Sequence, residues 1–465
     1  MAYGRLFLYL NIIFGINMIK KIIHSLDLNK RIVFFIIVSI MATLIADTSL
    51  IKLYDLTSKY EESKDVKKIL FCIILFISIL LQIVILQFAR TAIKTKSKIK
   101  IEPNTFIVQI SYVIIIILVS LLVFQLFYLD YYNTFILILN VLTTYCTASY
   151  FIGKTAIMFL SWYRRSHDFI VLMYFVSMSL IVFNLLLTNI VVNAYLGYKP
   201  ELIREFVGGS MDLSAGKTTF LVLLHKISTI SSFSSLWFTT VVLAYSSRDE
   251  LVRKMRYLVM PILLLVYFFL SYFSQDIIIS IFGNFLTSNP ILFSTILVMS
   301  FSLSKPIGGF MFGIAFWRMS QPISYERALE KYLIIAGYGF VLLFSANQST
   351  SLVLTPYPPF GTTTIVILMV ASYLIMFGVY TSASLVSKST ELRRTIHKTA
   401  NELKLLGFIG TAEMEKEINN ATIKILNKFE TTPDLVEAVD LDKEEIKHYL
   451  SQVINQLEKD KSVNS

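Results

Sequence analysis

Apolar runs separated by short polar connections organise this chain from residue 31 to residue 388. The runs lie near 32–52, 69–93, 106–128, 134–160, 169–195, 218–245, 257–274, 290–317, 331–347 and 362–387. Each approaches or exceeds the length, about 20 residues, that a helix needs to cross a hydrocarbon core of about 30 Å. The pattern predicts an all-α, polytopic transmembrane helix bundle of about ten spans.

The connections alternate in basic content. One set carries Lys30-Arg31, then Arg90 with Lys94, Lys96, Lys98 and Lys100, then Arg164-Arg165, and later Arg248, Arg253, Lys254 and Arg256. It continues with Arg318, Arg327 and Lys331 and ends in Lys388, Arg393, Arg394 and Lys398. The intervening connections 129–133, 275–289 and 348–361 have no Lys or Arg. Basic loops stay in the cytoplasm, so the alternation predicts a multi-pass protein of the cell membrane with both termini cytoplasmic. One connection disagrees: 52–68 falls on the outer side yet holds Lys52, Lys59, Lys64, Lys67 and Lys68.

Two flanking regions differ from the bundle. Residues 1–30 hold a short apolar run, Leu6 to Ile19, broken by Asn11 and Asn17 and without a small-residue cleavage site. That suits an interfacial segment better than a secretory signal. Residues 389–465 form a cytoplasmic helical tail. Leu392, Ile396, Thr399, Leu403 and Leu406 mark one apolar stripe, and Gly407 and Gly410 are expected to break that helix. Met414, Ile418, Ala421 and Ile425 start a second helix, and Asp442 to Lys459 reads as a third, with Glu445 completing a capping box.

Composition sharpens this picture. Hydrophobic residues make up 55% of the 465-residue chain and charged ones 16%, against roughly a quarter in soluble domains. The net charge of +11 resides mostly in the loops, which points to membrane lipids and away from nucleic acid. Cys72 and Cys146 both lie inside apolar runs, so no disulfide framework, metal site or cofactor is expected.

The candidate chemistry centres on Ser304-Lys305-Pro306-Ile307-Gly308-Gly309, inside an apolar run. A lysine at bilayer depth costs about 3 kcal/mol, and Pro306 frees backbone beside it. Lys305 is therefore a candidate anchor for a small polar or anionic solute, with Pro306, Gly308 and Gly309 shaping its surroundings. The structural alternative is a lysine tying down a kinked helix, paired to Asp47. His225-Lys226 and the hydroxyls of Ser228, Thr229, Ser231, Ser232, Ser234 and Ser235 suggest either a polar path or close helix packing. Asp47 with His225 is also the minimum for a proton relay.

Other features exclude more than they suggest. Gly216-Lys217-Thr218-Thr219 ends like a phosphate-binding loop, but Met211 stands where the motif needs glycine. His397 sits on a basic tail helix without any nucleotide pocket, and Arg393, Arg394 and Lys398 beside it are lipid-contact candidates. No nucleophile elbow, zinc spacing or catalytic carboxylate pair occurs, so no catalytic residue is assigned. Pro356-Tyr357-Pro358-Pro359-Phe360-Gly361 is a rigid connection, fit to cover a pocket or to start a helix cleanly.

The Ser-Lys-Pro-Ile-Gly-Gly run at 304–309, the proline-rich loop at 356–361 and Arg164-Arg165 together resemble an uncharacterised family of archaeal multi-spanning membrane proteins. The resemblance runs from about residue 30 to 430 and implies a helical bundle without an established activity. Two functions fit the residues. One is transporter-like binding or permeation of a small solute near the midplane. The other is a membrane sensor signalling through its tail, as a homodimer or to a cytoplasmic partner.

Overall fold

A computed structural model describes residues 35–47 except 36 and 45, together with 64–94, 102–197, 220–245, 308–320, 323, 326–346, 358–398 and 403–430. Among these, every regular element is a helix. They are α1 (Lys64–Lys94), α2 (Glu102–Tyr128), α3 (Thr134–Ser166), α4 (Phe169–Gly197) and α5 (Phe220–Tyr245). There follow α6 (Arg327–Ala346), α7 (Thr362–Lys388), α8 (Thr390–Lys398) and α9 (Lys404–Glu430). Shorter helical stretches occupy 37–44 and 308–320. Six helices among the described residues, α1 to α4, α6 and α7, are long and apolar enough to cross a membrane. The expected span at 257–274 and the first part of 290–317 lie outside the described residues, as do the segment 1–30 and the expected third tail helix.

The outer helices carry two apolar faces. On α1, Phe71 and Leu75 are buried, while Ile69, Ile73, Phe76 and Leu80 are exposed at helical spacing. On α2, Tyr112, Ile115, Val119 and Leu122 face inward, and Ile110, Val113, Ile117, Leu121 and Phe124 face outward. Continuous stripes of large exposed apolar side chains are not tolerated in water but match lipid tails. The chain is a membrane-embedded helical bundle.

At the centre stands α7, in which every residue except Tyr380, Leu385 and Lys388 is buried. It packs on α6, α3, α9 and α1, while α3 also packs on α4 and α4 on α5. Small residues make the α6–α7 crossing close: a Cβ on Gly378 would stand 2.6 Å from both Tyr332 O and Ala336 N. Several buried hydroxyls of α7 bond within their own helix, Ser372 to Leu368 O at 2.8 Å and Ser382 to Gly378 O at 2.6 Å.

The turns follow from their sequences. Asn133 Oδ1 accepts from Phe135 N at 2.9 Å and caps α3. At the other end of α3, His167 adopts a left-handed φ of 48° and donates its N–H to Tyr163 O. Asp168 then caps α4 through Ile170 N at 2.8 Å, so α3 and α4 join in a two-residue turn after Arg164-Arg165.

Contacts sort the helix termini into two ends. Lys68 bonds Asp130, Phe71 meets Phe360 edge-on at 5.7 Å, and Asp47 bonds Gly361, so the starts of α1 and α7 lie with the α2–α3 connection. At the opposite end, Trp162 near the close of α3 bonds Glu413 of α9, and Arg393 of α8 bonds Ser387 O at the close of α7. The first is the Asp130 end and the second the α9 end. The arrangement also bears on the lysine-rich connection. Lys64, Lys67 and Lys68 belong to α1, and Lys68 is buried and paired with Asp130 and Asp65.

The tail differs from its expected form. Gly407 and Gly410 do not break a helix, because α9 runs through both from Lys404 to Glu430. Gly410 instead lets α9 approach α7 so closely that a Cβ there would collide with Val386. The stripe formed by Leu392, Ile396, Leu403 and Leu406 is buried within the chain.

Candidate functional site

Where α4 crosses α5, polar side chains meet at regular intervals along the helices. Ser177 Oγ lies 2.9 Å from Ser235 Oγ and 3.0 Å from Thr239 Oγ1. Asn184 Nδ2 donates to Thr229 Oγ1 at 2.8 Å, and Thr188 Oγ1 lies 3.0 Å from His225 Nε2. Successive positions up α4 meet successive positions down α5, as in an antiparallel pair. Hydrocarbon offers no partners to polar groups, so helices satisfy them across their contacts. Backbone carbonyls share the load, with Thr188 Oγ1 bonded to Asn184 O at 2.7 Å and Thr229 Oγ1 to His225 O at 2.9 Å.

The polar layer continues on the other side of α4. Asn189 Nδ2 lies 3.9 Å from Cys146 Sγ on α3, and Asn193 Nδ2 donates to Asn189 Oδ1 at 2.9 Å. Asn193 Oδ1 is buried without a hydrogen-bond partner among the described residues. Residues 188 and 189, adjacent on α4, thus join α5 and α3 respectively. Deeper along α3, Tyr150 and Lys154 follow Cys146 at successive four-residue steps. Lys154 Nζ lies 5.9 Å from the centre of the Tyr150 ring, within cation–π range.

Lys154 was not among the residues singled out from the sequence. It lies within a 33-residue helix, far longer than a bilayer requires, and the apolar average of that run hides it. Counting back from Trp162 would have found it. Eight residues at 1.5 Å each place Lys154 about 12 Å along α3 from Trp162.

Asp47 sits elsewhere. It is fully buried, and its Oδ2 accepts from Gly361 N at 3.0 Å and Thr364 Oγ1 at 3.2 Å. Gly361 is the N-cap of α7, with φ 93° that suits glycine, and it has no side chain with which to cap. Asp47 supplies the missing acceptor from another part of the chain, and its charge faces the positive end of the α7 dipole. The proline-rich connection therefore starts a helix, with Asp47 as its cap. The carboxylate and imidazole of a proton relay bond to different helices, Asp47 to the start of α7 and His225 of α5 to Thr188 of α4.

The remaining candidates divide among packing contacts and chain ends. A Cβ on Gly308 would overlap the Phe233 ring of α5, and one on Gly309 would stand 2.8 Å from Val341 O of α6. These glycines let the 308–320 stretch wedge between α5 and α6. Lys226 is half-buried on α5 beside His225. Lys305 and Pro306 lie outside the described residues. Arg393 bonds Ser387 O and, at 3.4 Å, Val386 O, so it closes the C-terminus of α7, while Arg394 is exposed and Lys398 ends α8.

No family model, curated protein or solved structure matches the chain. Its geometry defines a class alone, a membrane-embedded helical bundle with a polar layer shared by α3, α4 and α5.

Proposed function

We propose that this protein binds or passes a small polar or anionic solute through the membrane, in the manner of a transporter. One observation carries the proposal: the polar layer from Cys146 through Asn189, Thr188 and His225 crosses three neighbouring helices. The rest of the core is dominated by apolar packing. This layer combines thiol, amide, hydroxyl and imidazole groups around one turn of α4, the mix of donors and acceptors by which a small polar solute is held. The sensor alternative has less support. The apolar stripe that would form a tail dimer is buried within the chain, and α9 sits on the ends of α3 and α7.

Purified protein in liposomes tests the proposal with a panel of radiolabelled polar and anionic solutes. Saturable uptake of at least one, sharply reduced in His225→Leu and Asn189→Leu, supports it. Absence of uptake, together with no solute-dependent rise in thermal stability, overturns it.

A further inference from the structure

Where α9 meets the last turns of α7, oxygen atoms gather without the partners their burial calls for. Ser384 is 1% exposed, and its Oγ has no hydrogen-bond partner. On the same helix, Ser387 Oγ donates to Ser384 O at 2.9 Å and stands 3.5 Å from Glu417 Oε2 of α9. A hydroxyl carries one proton, so the shorter bond claims it and leaves the Glu417 carboxylate without a full donor. Tyr380, one turn before Ser384, lies within electrostatic range of both Glu413 and Glu417. Tyr380, Ser384 and Ser387 follow at steps of four and three, which sets them on one face of α7, the face that meets Glu417. Ser384 lies between two residues that reach α9, so its unpartnered oxygen is turned into that contact.

The charges nearby are engaged elsewhere. Lys416 bonds both oxygens of Glu413, at 3.0 and 3.1 Å. Arg393 is taken up by the carbonyls of Val386 and Ser387. Among the described residues no cation pairs with Glu417, although this carboxylate is half-buried. It also faces the closing turn of α7, the negative end of the helix dipole. An unpaired carboxylate and an orphaned hydroxyl, both drawn out of water, are costly unless something positive joins them.

We infer that Glu417, Ser384 and Ser387 bind a monovalent metal cation, sodium in size and charge, which fastens the tail helix α9 to α7. Carboxylate and hydroxyl oxygens are hard donors, and the set includes neither thiolate nor imidazole. A single unpaired carboxylate matches a single positive charge, whereas calcium is held by more oxygen ligands, several of them charged. Glu417 and Tyr380 are half-exposed, so the ion enters from the surface, water completes its shell and no enclosed cavity is required. The site lies apart from the polar layer of α3, α4 and α5 and does not depend on the route of any solute.

Binding of radiolabelled sodium to the purified full-length protein in detergent tests the inference without any transport step. Saturable binding is expected, about tenfold weaker in Glu417→Gln and in Ser384→Ala, and unchanged in Glu415→Gln, a neighbour exposed on α9. Melting at one ionic strength, in sodium chloride or choline chloride, gives a second reading. Ser384→Ala removes an unpaired buried hydroxyl, so in choline it should melt at or above the parent. In sodium the parent should rise and the variant should not. Tail proteolysis should slow in sodium for the parent alone. Absence of saturable binding overturns the inference, as does binding that Glu417→Gln leaves intact. Equal melting shifts in sodium and choline would reduce the effect to ionic strength and overturn it too. Displacement of the label by equimolar calcium would overturn the monovalent assignment. Sodium binding without flux of any solute removes the transport proposal and keeps this site, and flux without sodium binding does the reverse.

Discussion

Trp162 donates its indole N–H to Glu413 at 2.7 Å, joining α3 to a tail helix 251 residues later in the chain. Both side chains are buried, and Lys416 bonds the two Glu413 oxygens at 3.0 and 3.1 Å. α9 is therefore part of the folded bundle, seated on α3 through the Trp162 indole and on α7 through the close approach at Gly410.

Removing the Glu413 carboxylate should expose the energetic value of that seat. Glu413→Ala leaves a buried indole N–H without its acceptor and strands Lys416, at a cost of about 1–3 kcal/mol. Glu413→Gln keeps an acceptor for Trp162 and should cost less. Thermal melting in detergent, read by tryptophan fluorescence, ranks parent above Gln above Ala. Equal melting of the two variants would mean that the Trp162 contact contributes little.

The two tail glycines should behave differently, although sequence alone assigns them the same role. Gly407→Ala meets only Ile396 Cγ2 at 3.5 Å, an ordinary contact, and improves helix propensity by about 1 kcal/mol. Gly410→Ala must push α9 off Val386 and should destabilise by about 1–3 kcal/mol. Limited proteolysis of the tail gives an independent reading: faster cleavage is expected for Gly410→Ala and not for Gly407→Ala.

These cases show which features a sequence carries openly. The helices α2, α4 and α7 begin or end within a few residues of the apolar runs 106–128, 169–195 and 362–387, because bilayer thickness fixes span length. Local capping at Asn133 and Asp168 is equally local in its cause. What stayed hidden depends on pairing across the chain: Trp162 with Glu413, Asp47 with the amide of Gly361 314 residues away, and Gly410 with Val386. A glycine that breaks a helix and one that admits a neighbour are the same letter. Asp47 and His225 were visible as polar residues in apolar runs, but only the fold shows that one caps a helix and the other joins a polar layer.

Asp47 as the cap of α7 leads to a graded expectation. Asp47→Ala removes the acceptor for Gly361 N and Thr364 Oγ1 inside the bundle and should cost about 1–2 kcal/mol. Asp47→Asn retains an acceptor oxygen and loses only the favourable charge at the helix N-terminus, about 0.3–1 kcal/mol in exposed helices. Melting temperatures in the order parent, Asn, Ala fit a cap. An Asn variant as damaged as Ala would show that the charge of Asp47 has another task.

Packing and function make different demands on the α4–α5 seam, and a double-mutant cycle separates them. Asn184 and Thr229 share a bond at 2.8 Å within the membrane region. Interhelical hydrogen bonds of this kind contribute about 0.6 kcal/mol on average, with values up to about 1.7. Asn184→Leu, Thr229→Val and the pair together should therefore give a stability coupling near 0.6 kcal/mol, measured by unfolding in mixed micelles. The same variants in the flux assay carry the further information. A loss of flux tracking the modest loss of stability makes Asn184 and Thr229 packing partners beneath the site. A loss of tenfold or more, with stability nearly kept, places the hydroxyl and amide on the route of the solute itself, alongside Thr188 and His225 one turn further along the seam.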